Sequence, residues 1–396
     1  MNNKSWKRGI GWYLAAVLAS VAVLTGCGNA VGQNAKKEDD GKLNVVTTLF
    51  PYYDFARQIA GDAVDLTTVV PAGMDSHSFE PTPADMRTIQ NADVLICNGG
   101  AMEQWLTQVL AATDTGHMTV ITMMDYVDTY EEEIVEGMED EAHDHAHGSH
   151  GHDHESEDHD HEAEEDHDHE EEEEHGHEAG HDHNSDSGLP DGHYYGDGHD
   201  HSDYVDDDGH HVDIEYDEHI WLSLKNAQML VAAISEALQE SDPARKDTYA
   251  ANAAAYAEKL SALDGEYRAA VDSGKYKTLL FGDRFPFRYL ADDYGLDYYA
   301  AFPGCSAETE ASFETVSFLA GKMDALGLPC VLTIEGTQHK IAETIVQNTA
   351  QKNQQVLTMD SMQAVTANDA SSGVSYLSIM EKNLSVLKKA LGQEAE

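Results

Sequence analysis

Short apolar runs alternate with helix-like segments in two separate series, and this alternation constrains the chain more than any other feature. In the first series, residues 43–48, 64–70, 93–97 and 118–122 are β-branched or apolar stretches. Residues 51–60 lie between the first pair. Thr82-Pro83-Ala84-Asp85 follows the second run and reads as a helix start, with a capping hydroxyl, a proline in the first turn and an early acid. A second series begins after Gly274, with strand-like runs at 277–281, 297–302, 330–334 and 355–358. Strands separated by helices pair in parallel, which predicts an α/β protein of two lobes, each a parallel four-stranded sheet with flanking helices. Between the series, Asp242 is placed to cap Pro243. Tyr249, Tyr256, Leu260, Leu263 and Tyr267 then mark one face at helical spacing. One long rigid helix is expected to join the lobes, unlike the flexible multi-strand hinge of a large-closure binding protein.

Residues 131–215 fit neither lobe. The chain has 74 acids against 23 Lys and Arg, a net charge of −51, and 37 of those acids lie between Glu131 and Glu218, where no Lys or Arg occurs. The rest of the chain sets 23 basic residues against 37 acids, a net of −14. Nineteen of the 23 histidines fall between His143 and His211. Too few apolar residues are present to offset the entropy of ordering, so a disordered insertion in a loop of the first lobe is expected. A chain this acidic, without a basic cluster, has no means of displacing phosphate counterions, which excludes nucleic acid as a partner. The repeated His-Asp-His units set imidazoles beside carboxylates, as at His143, His145, His147, His150, His152, His154, His159, His161, His167 and His169. Imidazole suits zinc, nickel and copper, but a flexible tract supports weak, exchangeable binding rather than one fixed geometry.

The N-terminus reads as an export signal. Lys4, Lys7 and Arg8 precede an apolar run at 10–24 that is short for a membrane span. Leu24-Thr25-Gly26-Cys27 resembles a bacterial lipobox, which predicts a signal peptide over 1–26, a lipid on Cys27 and a tether over 27–42. The expected divisions that follow are 43–242 for the first lobe, 243–273 for the linking helix and 274–396 for the second lobe. Cys97, Cys305 and Cys330 have neither zinc-knuckle nor C-x-x-C spacing, so buried small hydrophobes are expected, with a single disulfide as the alternative.

A precise site belongs between the lobes, where strand ends converge on a crevice. Two histidines stand out. His77 lies in Asp75-Ser76-His77-Ser78-Phe79-Glu80-Pro81, a loop leaving the second strand, and His219 lies in Glu218-His219-Ile220-Trp221-Leu222, where structure is expected to resume. Together with the lipobox, the His-rich insertion, Phe287-Arg288-Tyr289-Leu290, Tyr294-Gly295-Leu296, Glu335 and Asp360-Ser361, these motifs resemble the metal-binding lipoproteins of bacterial ABC importers, the family specialised for zinc and manganese. The resemblance implies two α/β lobes joined by one long helix, with metal held in the cleft. It carries His77, His219 and Asp360 over as ligands. At the remaining ligand position, usually His or Glu, this chain has Arg284, which stays protonated and cannot bind a cation. Asp283 is the first replacement to consider and Glu335 the second, with Arg284 then pairing with Glu335. His339 is a weaker candidate, and His117 is expected to be exposed.

The resemblance therefore implies a monomeric solute-binding lipoprotein on the outer face of the bacterial cell membrane, capturing Zn2+, with Mn2+ as the alternative, and passing it to an ABC permease and its ATPase. No catalysis is expected. A zinc hydrolase would call for a motif such as H-E-x-x-H or a nucleophile elbow, neither of which occurs. A surface metal store or adhesin without a transporter is the other reading.

Overall fold

The computed structural model describes residues 41–71, 73–74, 76–138, 215–306, 310–336, 339–365, 369 and 372–393. The expected signal peptide, Cys27, residues 27–40 of the expected tether and every histidine from His143 to His211 lie outside the described residues. The first series of strands forms β1 (Leu43–Thr47), β2 (Val64–Thr68), β3 (Val94–Cys97) and β4 (Thr119–Thr122), paired in parallel in the order β2-β1-β3-β4. The second forms β5 (Thr278–Arg284), β6 (Asp297–Phe302), β7 (Cys330–Thr333) and β8 (Gln355–Thr358), paired in parallel in the order β6-β5-β7-β8. Strands β3 and β7 are buried along their whole length, as strands covered on both faces must be. The shared order places a switch point between β1 and β3 in one sheet and between β5 and β7 in the other. There the loops at the strand C-termini diverge and leave a crevice.

The flanking helices follow from local chemistry. α1 (Phe50–Ala60) has Pro51 in its first turn. α2 (Pro83–Gln90) begins with a capping box: the Thr82 hydroxyl accepts from the Asp85 amide, and the Asp85 carboxylate accepts from the Thr82 amide at 2.8 Å. α3 (Gln104–Ala111) and α4 (Leu224–Ser241) complete the first lobe. α5 (Lys246–Ser273), 28 residues long, joins the lobes, and Tyr249, Tyr256, Leu260, Leu263 and Tyr267 are all buried along it. This face packs on α1 and α4 of the first lobe and on α9 (Tyr376–Ala390) of the second, where Tyr267 donates to the Met380 carbonyl at 2.7 Å. Asp242 does not cap α5 through its side chain. Its carboxylate instead accepts from the Tyr249 hydroxyl at 2.9 Å and pairs with Arg245, across a 3-10 turn over Pro243–Arg245.

The lobes share one apolar core, in which first-lobe side chains such as Tyr52, Phe55 and Trp221 adjoin second-lobe side chains such as Phe281, Phe287 and Tyr376. Each fully buried side chain of this size contributes roughly 1.5–3 kcal/mol. Polar links reinforce the contact. Trp221 donates to the Ser361 carbonyl at 2.9 Å, the Tyr376 hydroxyl donates to the Trp221 carbonyl at 2.7 Å, and the Tyr376 amide donates to Asp54 at 2.9 Å.

The boundary expected for the insertion at residue 131 moves inward. Glu131 forms an antiparallel bridge with Tyr216, and the Glu132 amide donates to the Glu215 carbonyl at 2.8 Å. Residues 131–138 then reach the second lobe: Glu133 pairs with Arg288 of α6 (Arg288–Tyr294), and Glu136 lies 2.9 Å from Lys322 of α7 (Phe313–Leu326). The absence of Lys and Arg from this stretch concealed the pairing, because the cations come from the other lobe.

Candidate metal centre

His77 sits on a single 3-10 turn, Ser76–Ser78, in the loop leaving β2. That turn is pinned from both sides. The buried Ser76 hydroxyl donates to the Met102 sulfur at 3.3 Å, and buried Phe79 packs edge-on against Trp105 with centroids 4.9 Å apart.

His219 is completely buried. Its backbone amide donates to Asp217 Oδ1 at 2.8 Å, and its Nδ1 lies 3.0 Å from the same oxygen. This arrangement assigns the ring proton to Nδ1 and turns the Nε2 lone pair away from Asp217. Nε2 is buried and has no hydrogen-bond partner, while Trp221 stands edge-on to the ring at 5.4 Å. The preceding residue anchors the segment to the loop after β3. The Glu218 carboxylate accepts from the Ala101 amide and, at 2.8 Å, from the Met102 amide, and the Glu218 carbonyl accepts from Asn98 at 3.1 Å. Gly100 makes this possible. It has φ +78°, and a Cβ there would fall 2.3 Å from the Glu218 oxygen. Burial pushes the Glu218 carboxyl up to about 7, against the pull of those amides and of His219.

The two rings converge, with centroids 5.8 Å apart. Cys305, in the loop after β6, joins them: one ligand atom from each of His77, His219 and Cys305 lies within 4.8 Å of the others. The Cys305 amide donates to Glu132 Oε1 at 2.9 Å. Burial raises the Cys305 thiol well above its usual range, and the nearby Asp217, Glu132 and Glu218 carboxylates push in the same direction. All three described cysteines are free, so no disulfide links them. The expectation of a buried small hydrophobe holds for Cys97 and Cys330 but misplaces Cys305.

The second-lobe acids lie outside this cluster. Asp360 follows β8; its Oδ1 accepts from the Met362 amide at 2.8 Å, and its backbone is tied to Asn383 by two 2.8 Å hydrogen bonds. Burial, and then the Glu335 charge, push the Asp360 carboxyl up to about 6. Asp283, at the end of β5, accepts from the amides of Arg284 at 2.9 Å and Ile334 at 3.4 Å, and burial raises its pKa. Glu335 is committed elsewhere. Its carboxylate accepts from Ser361 N and Oγ at 2.6 and 2.8 Å and from the amides of Gln363 and Ala364 at 3.0 and 3.3 Å. The expected Arg284–Glu335 pair is therefore not formed. Arg284 Nη1 donates instead to the Ser306 carbonyl at 3.2 Å. His339, just before α8 (Lys340–Asn348), keeps a buried Nδ1 without a partner, and exposed His117 lies 3.2 Å from the Gln90 carbonyl.

A family model described as "ZnuA: Zinc-uptake complex component A periplasmic" matches residues 45–390. The chain belongs to this family. Within the ZnuA family, the zinc-binding lipoprotein AdcA of Streptococcus pneumoniae is 28% identical over 383 residues, which is 96% of this chain and 61% of the relative. The chain thus spans about three fifths of that relative's length. The high-affinity zinc uptake system protein ZnuA of Bacillus subtilis is 25% identical over 378 residues, covering 96% of this chain and 97% of the relative. Among solved structures, the Zn(II)-bound ZnuA-like domain of S. pneumoniae AdcA superposes with a TM-score of 0.60 at 24% identity, covering 89% of this chain and all of that one. The periplasmic zinc-binding protein TroA of Treponema pallidum gives 0.60 at 19% identity, covering 89% and 99%. These likenesses are of fold: two lobes, each with a parallel four-stranded sheet, and one linking helix.

Two residues of this candidate centre escaped the sequence reading. Asp217 stands two positions before His219, a spacing at which a side chain can turn back onto a ring. Cys305 follows the end of a second-lobe strand, as the candidate acids do, and that position was its only sequence signal.

Proposed function

We propose that this chain captures a divalent transition metal, zinc in preference to manganese, outside the bacterial cell membrane and passes it to the permease of an ABC importer and its ATPase. A lipid on Cys27 would hold it at the membrane surface. The carrying observation is His219: a buried imidazole, oriented by Asp217, with an unpartnered Nε2 and a ring that clusters with His77. Leaving such an atom unsatisfied costs about 1–3 kcal/mol, a cost that a bound cation removes. Paired imidazoles favour zinc over manganese, which prefers oxygen. Asp360 is proposed as the second-lobe carboxylate ligand. The tract from His143 to His211 is proposed as a weak collector that raises the local metal concentration.

Deleting residues 143–211 tests this reading by calorimetry on the chelator-stripped protein. One tight zinc site is expected to remain while several weak ones disappear. Loss of the tight site would assign the primary ligands to the tract and overturn the reading.

A further inference from the structure

The ligand position implied by the resemblance is filled by Arg284, yet the cluster at His219 contains a third donor from another loop. We propose that Cys305, in place of Asp283, supplies the missing ligand as a thiolate beside His77, His219 and Asp360, and biases the shell toward thiophilic zinc. This deepens the metal-capture reading and rests on it.

Three observations support the assignment. First, His219 Nε2 is fully buried without a partner, and its ring is held by Asp217 so that this atom faces away from the carboxylate. Cys305 is the non-histidine member of the cluster that one nitrogen of each ring forms with it, within 4.8 Å. Second, the loop carrying Cys305 is shaped to approach closely. A Cβ at Gly304 would stand 3.0 Å from the Phe285 carbonyl and 3.3 Å from both Asp217 Oδ2 and His219 Nδ1. A larger residue at this position would push the loop off the histidine. Third, the loop is fastened on both sides of the cysteine, by Glu132 on the Cys305 amide at 2.9 Å and by Arg284 on the Ser306 carbonyl at 3.2 Å. Arg284 cannot ligate, but it positions the loop that carries the substitute ligand.

On binding, the Cys305 S–H bond is replaced by a sulfur–metal bond and the proton leaves to solvent. Zinc accepts mixed nitrogen and sulfur donors at about 2.0–2.3 Å, whereas manganese gains little from thiolate. The shell would thus discriminate between the two ions by donor softness as well as by geometry.

Cobalt(II) titration of the chelator-stripped full chain tests this, because a thiolate ligand adds a near-ultraviolet sulfur-to-cobalt charge-transfer band that imidazole and carboxylate cannot produce. The expected result is that band in the parent protein, its loss in Cys305→Ser, and a fall in zinc affinity of at least about tenfold in that variant. Cys305→Asp, which replaces sulfur by oxygen, is expected to lower the preference for zinc over manganese. Tight cobalt binding without the band, or a band that persists in Cys305→Ser, would overturn the cysteine assignment and leave capture by the histidines standing. A parent protein with no tight cobalt or zinc site would overturn both.

Discussion

The two lobes hold their candidate donors in different ways. In the first lobe, His219 is buried, its proton is placed by Asp217, and the adjoining Glu218 is tied to the backbone of Ala101 and Met102. The donor atom, His219 Nε2, is left without a hydrogen-bond partner. In the second lobe the carboxylates of Asp283 and Asp360 already accept backbone hydrogen bonds, and Glu335 accepts four. A preorganised donor costs little to use. An acid that must give up amide partners costs more, so affinity should reside mainly in the first lobe and completion of the shell in the second.

The largest effect should therefore come from His219→Ala, with a loss of zinc affinity beyond about a hundredfold, larger than that of Asp360→Ala. Chelator competition measures both, and equal losses would erase the contrast between the lobes. Next comes Asp217→Asn, which keeps the shape but weakens the restraint on Nδ1. A loss of about 10–100-fold is expected with an unchanged circular dichroism spectrum. Unaltered affinity would mean that packing by Trp221 alone orients the ring.

Glu335→Gln probes the second lobe. It sets an amide NH2 against backbone donors, so unfolding should become easier by about 1–3 kcal/mol while zinc affinity changes little. A large affinity loss with unchanged denaturant midpoint would make Glu335 a ligand after all. The smallest effect concerns Glu103 of the first lobe, whose carboxylate accepts from the amides of Asn98 and Gly99 at 2.7 and 3.0 Å. Burial pushes it from 4.5 up to about 7. The folded chain then keeps a proton that the unfolded chain has lost. Its contribution to stability is complete below about 4.5, falls as pH rises to about 7, and is level above. Urea midpoints of the metal-free protein across this range should show the decline, and Glu103→Gln should lessen it, leaving the part due to Glu218 and Asp360.

The strand runs, the buried tyrosine and leucine face of α5 and the capping box at Thr82 were legible in the sequence because each depends on neighbours within a few residues. Apolar runs, 3.6-residue patterns and a hydroxyl before a proline act locally, and they place the elements almost where the structure has them. His77 and His219 were legible for a related reason: both stand at junctions between loop and element. Cys305 was not, because nothing within ten residues of it names a partner. Its place beside His219 depends on the close approach allowed by Gly304 and on the hydrogen bond from its amide to Glu132, more than 170 positions away in the chain. The same holds for Arg284, whose charge barred it from ligation on sequence alone but whose contact with Ser306 was set by the packing of β5 against β6. The sequence by itself determined which segments become strands and helices, how the chain divides into lobes, and which histidines are held at the edge of a crevice. Only the tertiary structure decided which second-lobe atoms meet them, because donor–acceptor pairing between distant loops depends on distances that no local pattern encodes.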